Sequence, residues 1–201
     1  MEPANKPSMR IVVIGGLPCS GKSTLATRLR ARCSLPVLCK DETKEALFDR
    51  LGSGDRAWSK RLSLAAYDIM FAQAEELLRC GGGCIVEGNF RAHEHRERFA
   101  RLQTAGAAFL QVFCHAQPAV LISRFHERAH SGRRHAGHVD VASLQEIENE
   151  IASASQQPLP LAGSVIDCDT THDWQTAIDA AVEQVLTELN AAGARGSKET
   201  P

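Results

Sequence analysis

No apolar run in this chain approaches the ~18 residues that a membrane span requires. The opening MEPANKPSMR has no apolar core of a secretory leader. Neither sign of charge dominates: 23 basic side chains face 24 acidic ones, so no overall basic field argues for bulk nucleic-acid binding. Aromatics are scarce at 5%, which leaves no stacking platform for long single strands. The seven cysteines are odd in number and show no C-x-x-C spacing, against both a disulfide framework and a zinc ribbon. Cys80 and Cys84 bracket three glycines, a pattern that reads as a turn into a strand. There is no internal repeat. These absences lead us to expect a cytoplasmic protein with no membrane association.

What is present begins with RIVVIGGLPCSGKST, residues 10–24. Ile11 to Ile14 form an apolar, β-branched run that reads as a buried strand. From Gly16 the spacing is G-x-x-x-x-G-K-S, the phosphate-binding loop pattern. Leu25, Ala26 and Leu29 then recur on one face of a helix starting near Lys22. A strand, a glycine loop and a helix in this order build an anion site from backbone N–H donors and a positive helix end. Gly16, Pro18, Cys19, Ser20, Gly21, Lys22, Ser23 and Thr24 are the expected nucleotide-binding set. Lys22 would reach the β- and γ-phosphates, and the Ser23 hydroxyl would take Mg²⁺.

The rest of the chain alternates strands and helices. Strands are expected at 35–39, 84–87, 108–114 and 165–168. Helices are expected from 22 to about 33, 40–51, 57–79, 93–103, 118 to about 126, 142–155 and 173–189. Such alternation implies a parallel sheet with ligands at the carboxyl ends of its strands. The 201 residues, 43% apolar, suffice for one core. We expect a disordered arm over 1–8, one domain over 9–189 and a flexible tail over 190–201. Residues 129–141 are polar, basic and turn-rich, with few apolar anchors. They read as a lid that opens readily without ligand.

Four segments occur in a telling order: GLPCSGKST (16–24), KDETKE (40–45), EGNF (87–90) and RHAGH (134–138). On these the chain resembles small P-loop kinases of the AAA-type ATP-binding group. That group is similar to polynucleotide-kinase-like, nucleoside monophosphate kinase-like and zeta-toxin-like phosphotransferases. The resemblance implies an α/β, three-layer P-loop NTPase fold with a five-stranded parallel sheet and a small basic lid. ATP and Mg²⁺ are the implied cofactors, and the implied acceptor is a small molecule or nucleotide.

Residue by residue, the resemblance gives Asp41 the role of accepting the proton of the attacking hydroxyl, with Lys44 one turn later for substrate. The alternative makes Asp41 a helix N-cap and Lys44 a solvated charge. Glu87 corresponds to the acid that supports Mg²⁺. Asn89 and Arg91 would lie over the acceptor, or Arg91 would pair on the surface with Glu94 or Glu97. Arg124 and Arg128 resemble the paired arginines that precede and enter a lid, one near the adenine and one on the phosphates. Arg128, Arg133 and Arg134 are the lid arginines expected to neutralise transition-state charge. The histidines at 126, 130, 135 and 138 show no convincing metal spacing. A monomer or homodimer is expected. A P-loop ATPase or nucleotide-binding regulator without an acceptor, and a zeta-toxin-like kinase of nucleotide-sugars, stay open as rival readings.

Overall fold

The computed structural model of the chain describes residues 9–132 and 134–196. The expected arm over 1–8, Arg133 and residues 197–201 lie outside the described residues. Five strands form one sheet: β1 (Met9–Gly15), β2 (Val37–Cys39), β3 (Cys84–Glu87), β4 (Ala107–His115) and β5 (Gly163–Asp169). Their order is β2-β3-β1-β4-β5, and every neighbouring pair is parallel. Among the described residues, seven α-helices connect and cover them: α1 (Lys22–Arg30), α2 (Lys40–Leu51), α3 (Arg56–Arg79), α4 (Ala92–Thr104), α5 (Pro118–His130), α6 (Leu144–Ser153) and α7 (Trp174–Gly196). None of the described helices is long and apolar enough to cross a membrane.

Both faces of a parallel sheet must be covered, so its strands are apolar on both sides. In β1, Val12 and Ile14 join a core with Leu25 and Leu29 of α1 and Ile178, Val182 and Val185 of α7. Ile11 and Val13 point the other way, against Met70, Phe71 and Leu78 of α3 and Phe99 and Leu102 of α4. Three layers result, as the sequence implies. A third cluster joins Leu121 and Phe125 of α5 to Ile147 and Ile151 of α6, with Leu17 and Cys19 packed against it. The phosphate loop therefore rests on its own apolar support.

Several boundaries differ from the sequence reading, by one residue at the ends of α4 and β4 and by more at β5, at α5 and at four further places. β2 starts at Val37, because Pro36 has no N–H to give the ladder. α1 stops at Arg30 and closes with Cys33 N donating to Leu29 O. Short 3₁₀ turns at Ala136–His138 and Val141–Ser143 precede α6, which starts only at Leu144. α7 continues to Gly196, seven residues past the expected end at 189. Elsewhere local chemistry sets the ends. Asp55 accepts from Trp58 N at 2.8 Å to cap α3, and Pro118 occupies the first turn of α5.

The strand order positions the site. β3 lies between β1 and β2, with Glu87 paired to Ile14 on one side and to Cys39 on the other. The phosphate loop, the start of α2 and Glu87 thus meet at one end of the sheet.

Candidate active site

The loop after β1 takes positive φ at Gly16 (140°), Cys19 (65°) and Gly21 (94°). Gly16 has no substitute, since a Cβ there would sit 2.0 Å from Cys114 O. α1 begins with Gly21 as its N-cap, which has no side chain to meet the first-turn donors. The N–H groups of Lys22, Ser23 and Thr24 have no carbonyl one turn back. These donors and the helix end make the loop an anion site.

Lys22 is buried, and its Nζ donates to Leu17 O at 2.7 Å. Burial lowers its pKa, and Glu87 opposes that shift. Ser23 Oγ donates to Glu87 Oε1 at 3.5 Å, and Cys39 Sγ to Glu87 Oε2 at 2.9 Å. Burial pushes the Glu87 carboxyl up, while Lys22 and the Cys39 thiol pull it down.

A cleft of about 600 Å³ opens over this floor. It is lined by Pro18, Cys19, Gly21, Lys22, Ser23 and Thr24 from the loop, and by Asp41, Lys44, Glu87, Asn89, Arg91, Arg128 and Arg134. Asp41 is not a cap; the N-cap of α2 is Cys39, and Asp41 stands in the first turn. It accepts from Lys40 Nζ at 2.7 Å and from Arg134 Nη2 at 2.6 Å. Burial alone would raise its pKa; Lys40, Arg134 and His138 overcome this and hold the carboxyl well below the usual carboxylate range. Lys44 is not a solvated charge. It is buried, and its Nζ donates to Ser59 Oγ at 2.8 Å. Burial, then Lys40, brings its pKa down to about 7.

Arg91 lines the cleft but is held by two acids, Glu94 at 2.8 Å and Glu150 at 2.6 Å. Glu97 is not one of them. Arg128 lies over the Phe125 ring and 3.4 Å from Asp140, and its Nε has no hydrogen-bond partner among the described residues. Arg124 stays outside the cleft wall. Its guanidinium ties the loop to the segment after β5, through Thr170 O at 2.6 Å, Thr170 Oγ1 at 3.1 Å and Cys19 O at 3.5 Å. Gly16 and Ser20 also lie behind the wall, Ser20 fully buried.

The described part of the basic segment packs on α2. Gly137 and His138 are buried, and Phe48 of α2 stacks on His135 and meets His138 edge-on. Sequence reading counted few apolar anchors because the anchor, Phe48, belongs to another element. Four further residues were missed. Lys40 and Cys39 touch the acids directly. Asp140 holds two arginines. Tyr67, the only tyrosine of the chain, donates to Asn89 O at 2.9 Å. Lys40 carried a signal, its place beside Asp41 in KDETKE; Tyr67 carried none.

A parallel sheet in the order β2-β3-β1-β4-β5, with a phosphate loop after β1 and a buried acid closing β3, defines a kinase-like P-loop NTPase. Residues 11–152 match the AAA_33 family, an AAA domain, and the chain belongs to it. The chain is 35% identical to a protein from Chloroflexus aurantiacus provisionally named a kinase; the match covers 90% of this chain and 98% of that one, with a TM-score of 0.81. A sugar kinase from a Janibacter species matches at 18% identity, 87% and 93% coverage and a TM-score of 0.54. A gluconokinase from Sinorhizobium meliloti matches at 17%, 92% and 98%, with 0.51. These last two show the fold alone. No curated protein matches the chain.

Proposed function

We propose that the protein is a phosphotransferase that moves the γ-phosphate of ATP to a hydroxyl of a small molecule or nucleotide. One observation carries this reading: two complementary sets of groups share one cleft. Lys22, Ser23 and Glu87 stand at the phosphate loop, and Asp41 with Arg134 and Arg128 stands beside the basic segment. The kinase name of the 35% identical Chloroflexus protein supports it.

The Ser23 hydroxyl and the Glu87 carboxylate are hard oxygen donors that fit a small divalent cation. Mg²⁺ held there would neutralise charge on the phosphate oxygens. Lys22 would exchange Leu17 O for a phosphate oxygen, a better partner for a buried ammonium. The attacking oxygen would bond to the γ-phosphorus as the bond to the bridging oxygen of ADP breaks, and its proton would pass to Asp41 late in the step. Asp41, with its depressed pKa, is a weak base. It would act mainly by accepting the hydrogen bond of the hydroxyl and aiming it, which suffices where the nucleophile is bonded late. Arg128, which lines the cleft beside Asp140, would meet the charge on the transferring group.

The test is a panel of hydroxyl-bearing acceptors with γ-labelled ATP, beside Lys22→Met. We expect label on at least one acceptor and loss of transfer in the variant with its melting curve preserved. ATP turnover that is unmoved by every acceptor would overturn the kinase reading in favour of a plain ATPase. Equal ATP affinity and turnover in Lys22→Met would remove the nucleotide site itself.

A further inference from the structure

Cys39 is the last residue of β2 and the N-cap of α2. A residue in that place usually turns its side chain onto the first-turn N–H groups of its own helix. Cys39 does not, and its thiol makes no capping bond. Sulfur is a weak acceptor, so those N–H groups have little hold on it. The thiol lies instead against Glu87, with Sγ 2.9 Å from Oε2. An ionised carboxylate has no proton to give, so the thiol is the donor.

The register of the sheet enforces this contact. β2 and β3 are parallel, with Cys39 directly beside Glu87, and their side chains leave the sheet on the same face. Both residues are buried. Oε2 has no other donor among the described residues, and a buried acceptor left unmatched is costly. Oε1 is in a different position: it faces the Ser23 hydroxyl at 3.5 Å, a long contact. The two oxygens of one carboxylate are thus told apart. Cys39 is also tied forward into α2, where Thr43 Oγ1 donates to Cys39 O at 3.1 Å. Asp41 follows two residues later. One residue therefore joins the acid at the phosphate loop to the helix that carries Asp41.

We propose that Cys39 is a positioning residue for Glu87, whose Oε2 it holds so that Oε1, beside the Ser23 hydroxyl, is the oxygen presented to a divalent cation. The proposal rests on the reading of Ser23 and Glu87 as cation donors given above. A carboxylate free to turn must be ordered when the cation arrives; one already fixed by the thiol is not. Contacts of this kind, one step behind a metal's own ligands, are typically worth about 10–100-fold in metal affinity.

The experiment titrates ADP into full-length wild type, Cys39→Ala and Cys39→Ser by calorimetry, once in EDTA and once in excess Mg²⁺. It needs neither an acceptor nor turnover. We expect Mg²⁺ to tighten ADP on wild type, and Cys39→Ala to lose about 10-fold of that gain, the low end for such a contact. Its ADP affinity in EDTA should match that of wild type, because the loop itself is untouched. Cys39→Ser keeps a donor and should stay within about 3-fold of wild type in Mg²⁺. An equal Mg²⁺ gain in Cys39→Ala and wild type would overturn the proposal. So would an equal loss of ADP affinity with and without Mg²⁺, which marks a merely structural role, or a Cys39→Ser protein no better than Cys39→Ala. The wild-type titrations keep the two readings apart. A Mg²⁺ gain that survives in Cys39→Ala removes the role of the thiol and leaves the cation site standing. ADP binding to wild type that Mg²⁺ does not alter removes the cation site, and the role of Cys39 with it.

Discussion

Arg134 Nη2 donates to Asp41 Oδ2 at 2.6 Å, joining the basic segment to the first turn of α2 across 93 residues of sequence. The same guanidinium gives Nη1 to Asp140 Oδ2 at 3.2 Å and lies 3.0 Å from His138 Nδ1. Arginine has no acceptor, so Nδ1 must accept and cannot carry the proton. The His138 proton is then on Nε2, which donates to Glu45 Oε1 at 2.9 Å. Burial and Arg134 accordingly bring the His138 pKa down to about 3. The segment is thus locked onto α2 by a neutral histidine and a charged arginine together.

Asp41→Asn removes the charge that holds Arg134 and leaves two cations short of a partner. We expect a loss of about 10²-fold in kcat, at the low end of the range for a proton-accepting group because late bonding asks little of a base. Stability should fall by about 1–3 kcal/mol, the cost of leaving charged groups unmatched. ATP affinity should hardly move. Kinetics with the best acceptor, an ATP titration and a denaturation curve on one preparation check all three. Unchanged kcat with lowered stability would leave Asp41 as a lock for the basic segment and no more.

Gly137 is where that segment touches α2. A Cβ on it would sit 2.4 Å from the Phe48 ring, and the ring is buried and cannot retreat. Gly137→Ala should lift the segment, costing about 1–3 kcal/mol as other overpacking does. Cleavage by trypsin at Arg134, which is 19% exposed in its side chain, should speed up severalfold. An unaltered digestion rate would show that the contact does not hold the segment down.

Lys44 gives a pH test. Its folded pKa is lowered to about 7, while an unfolded lysine titrates near ~10.4. Between these values the unfolded chain holds a proton that the folded one has released. Stability from this group therefore rises with pH across that window. Other groups titrate there too, so the quantity to read is the difference between wild type and Lys44→Met. That difference should shift in favour of wild type by on the order of 2–4 kcal/mol from pH 7 to pH 10. Denaturant melts at both pH values that move in parallel would contradict it.

Cys19 is a non-glycine residue at φ 65°. The left-handed region costs an L-residue about 1–2 kcal/mol, partly offset by the extra freedom a glycine loses on folding. Cys19→Gly should gain about 0.5–1 kcal/mol, seen as a melting temperature higher by roughly 1–4 °C. Its Sγ packs on the α5–α6 cluster, and a fall in melting temperature would mean that this packing outweighs the strain.

The fold was largely legible in the sequence. Each strand is a short β-branched or apolar run, each helix carries its stripe, and a parallel α/β order follows because successive crossovers leave few alternatives. The four ordered segments also contain half of the cleft lining. Elements shorter than a full turn were not legible: the two 3₁₀ turns have no period to detect, and what holds them lies elsewhere in the chain.

What the sequence alone determined is the local chemistry, from a phosphate loop whose spacing is its function to the acid ending a buried strand. Only the tertiary structure decided what that chemistry is paired with. It turned Arg91 toward Glu94 and Glu150, took Arg124 out of the cleft and placed Phe48 beneath Gly137. It also set Lys44 in a buried pocket where its charge is costly, and buried Gln111 Nε2 without a hydrogen-bond partner among the described residues. The physical reason is the range of the forces. Backbone preference and side-chain periodicity act within a few residues and can be read along the chain. Desolvation and charge pairing depend on which surfaces close on one another, and residues 93 apart in sequence enter that sum as readily as neighbours do.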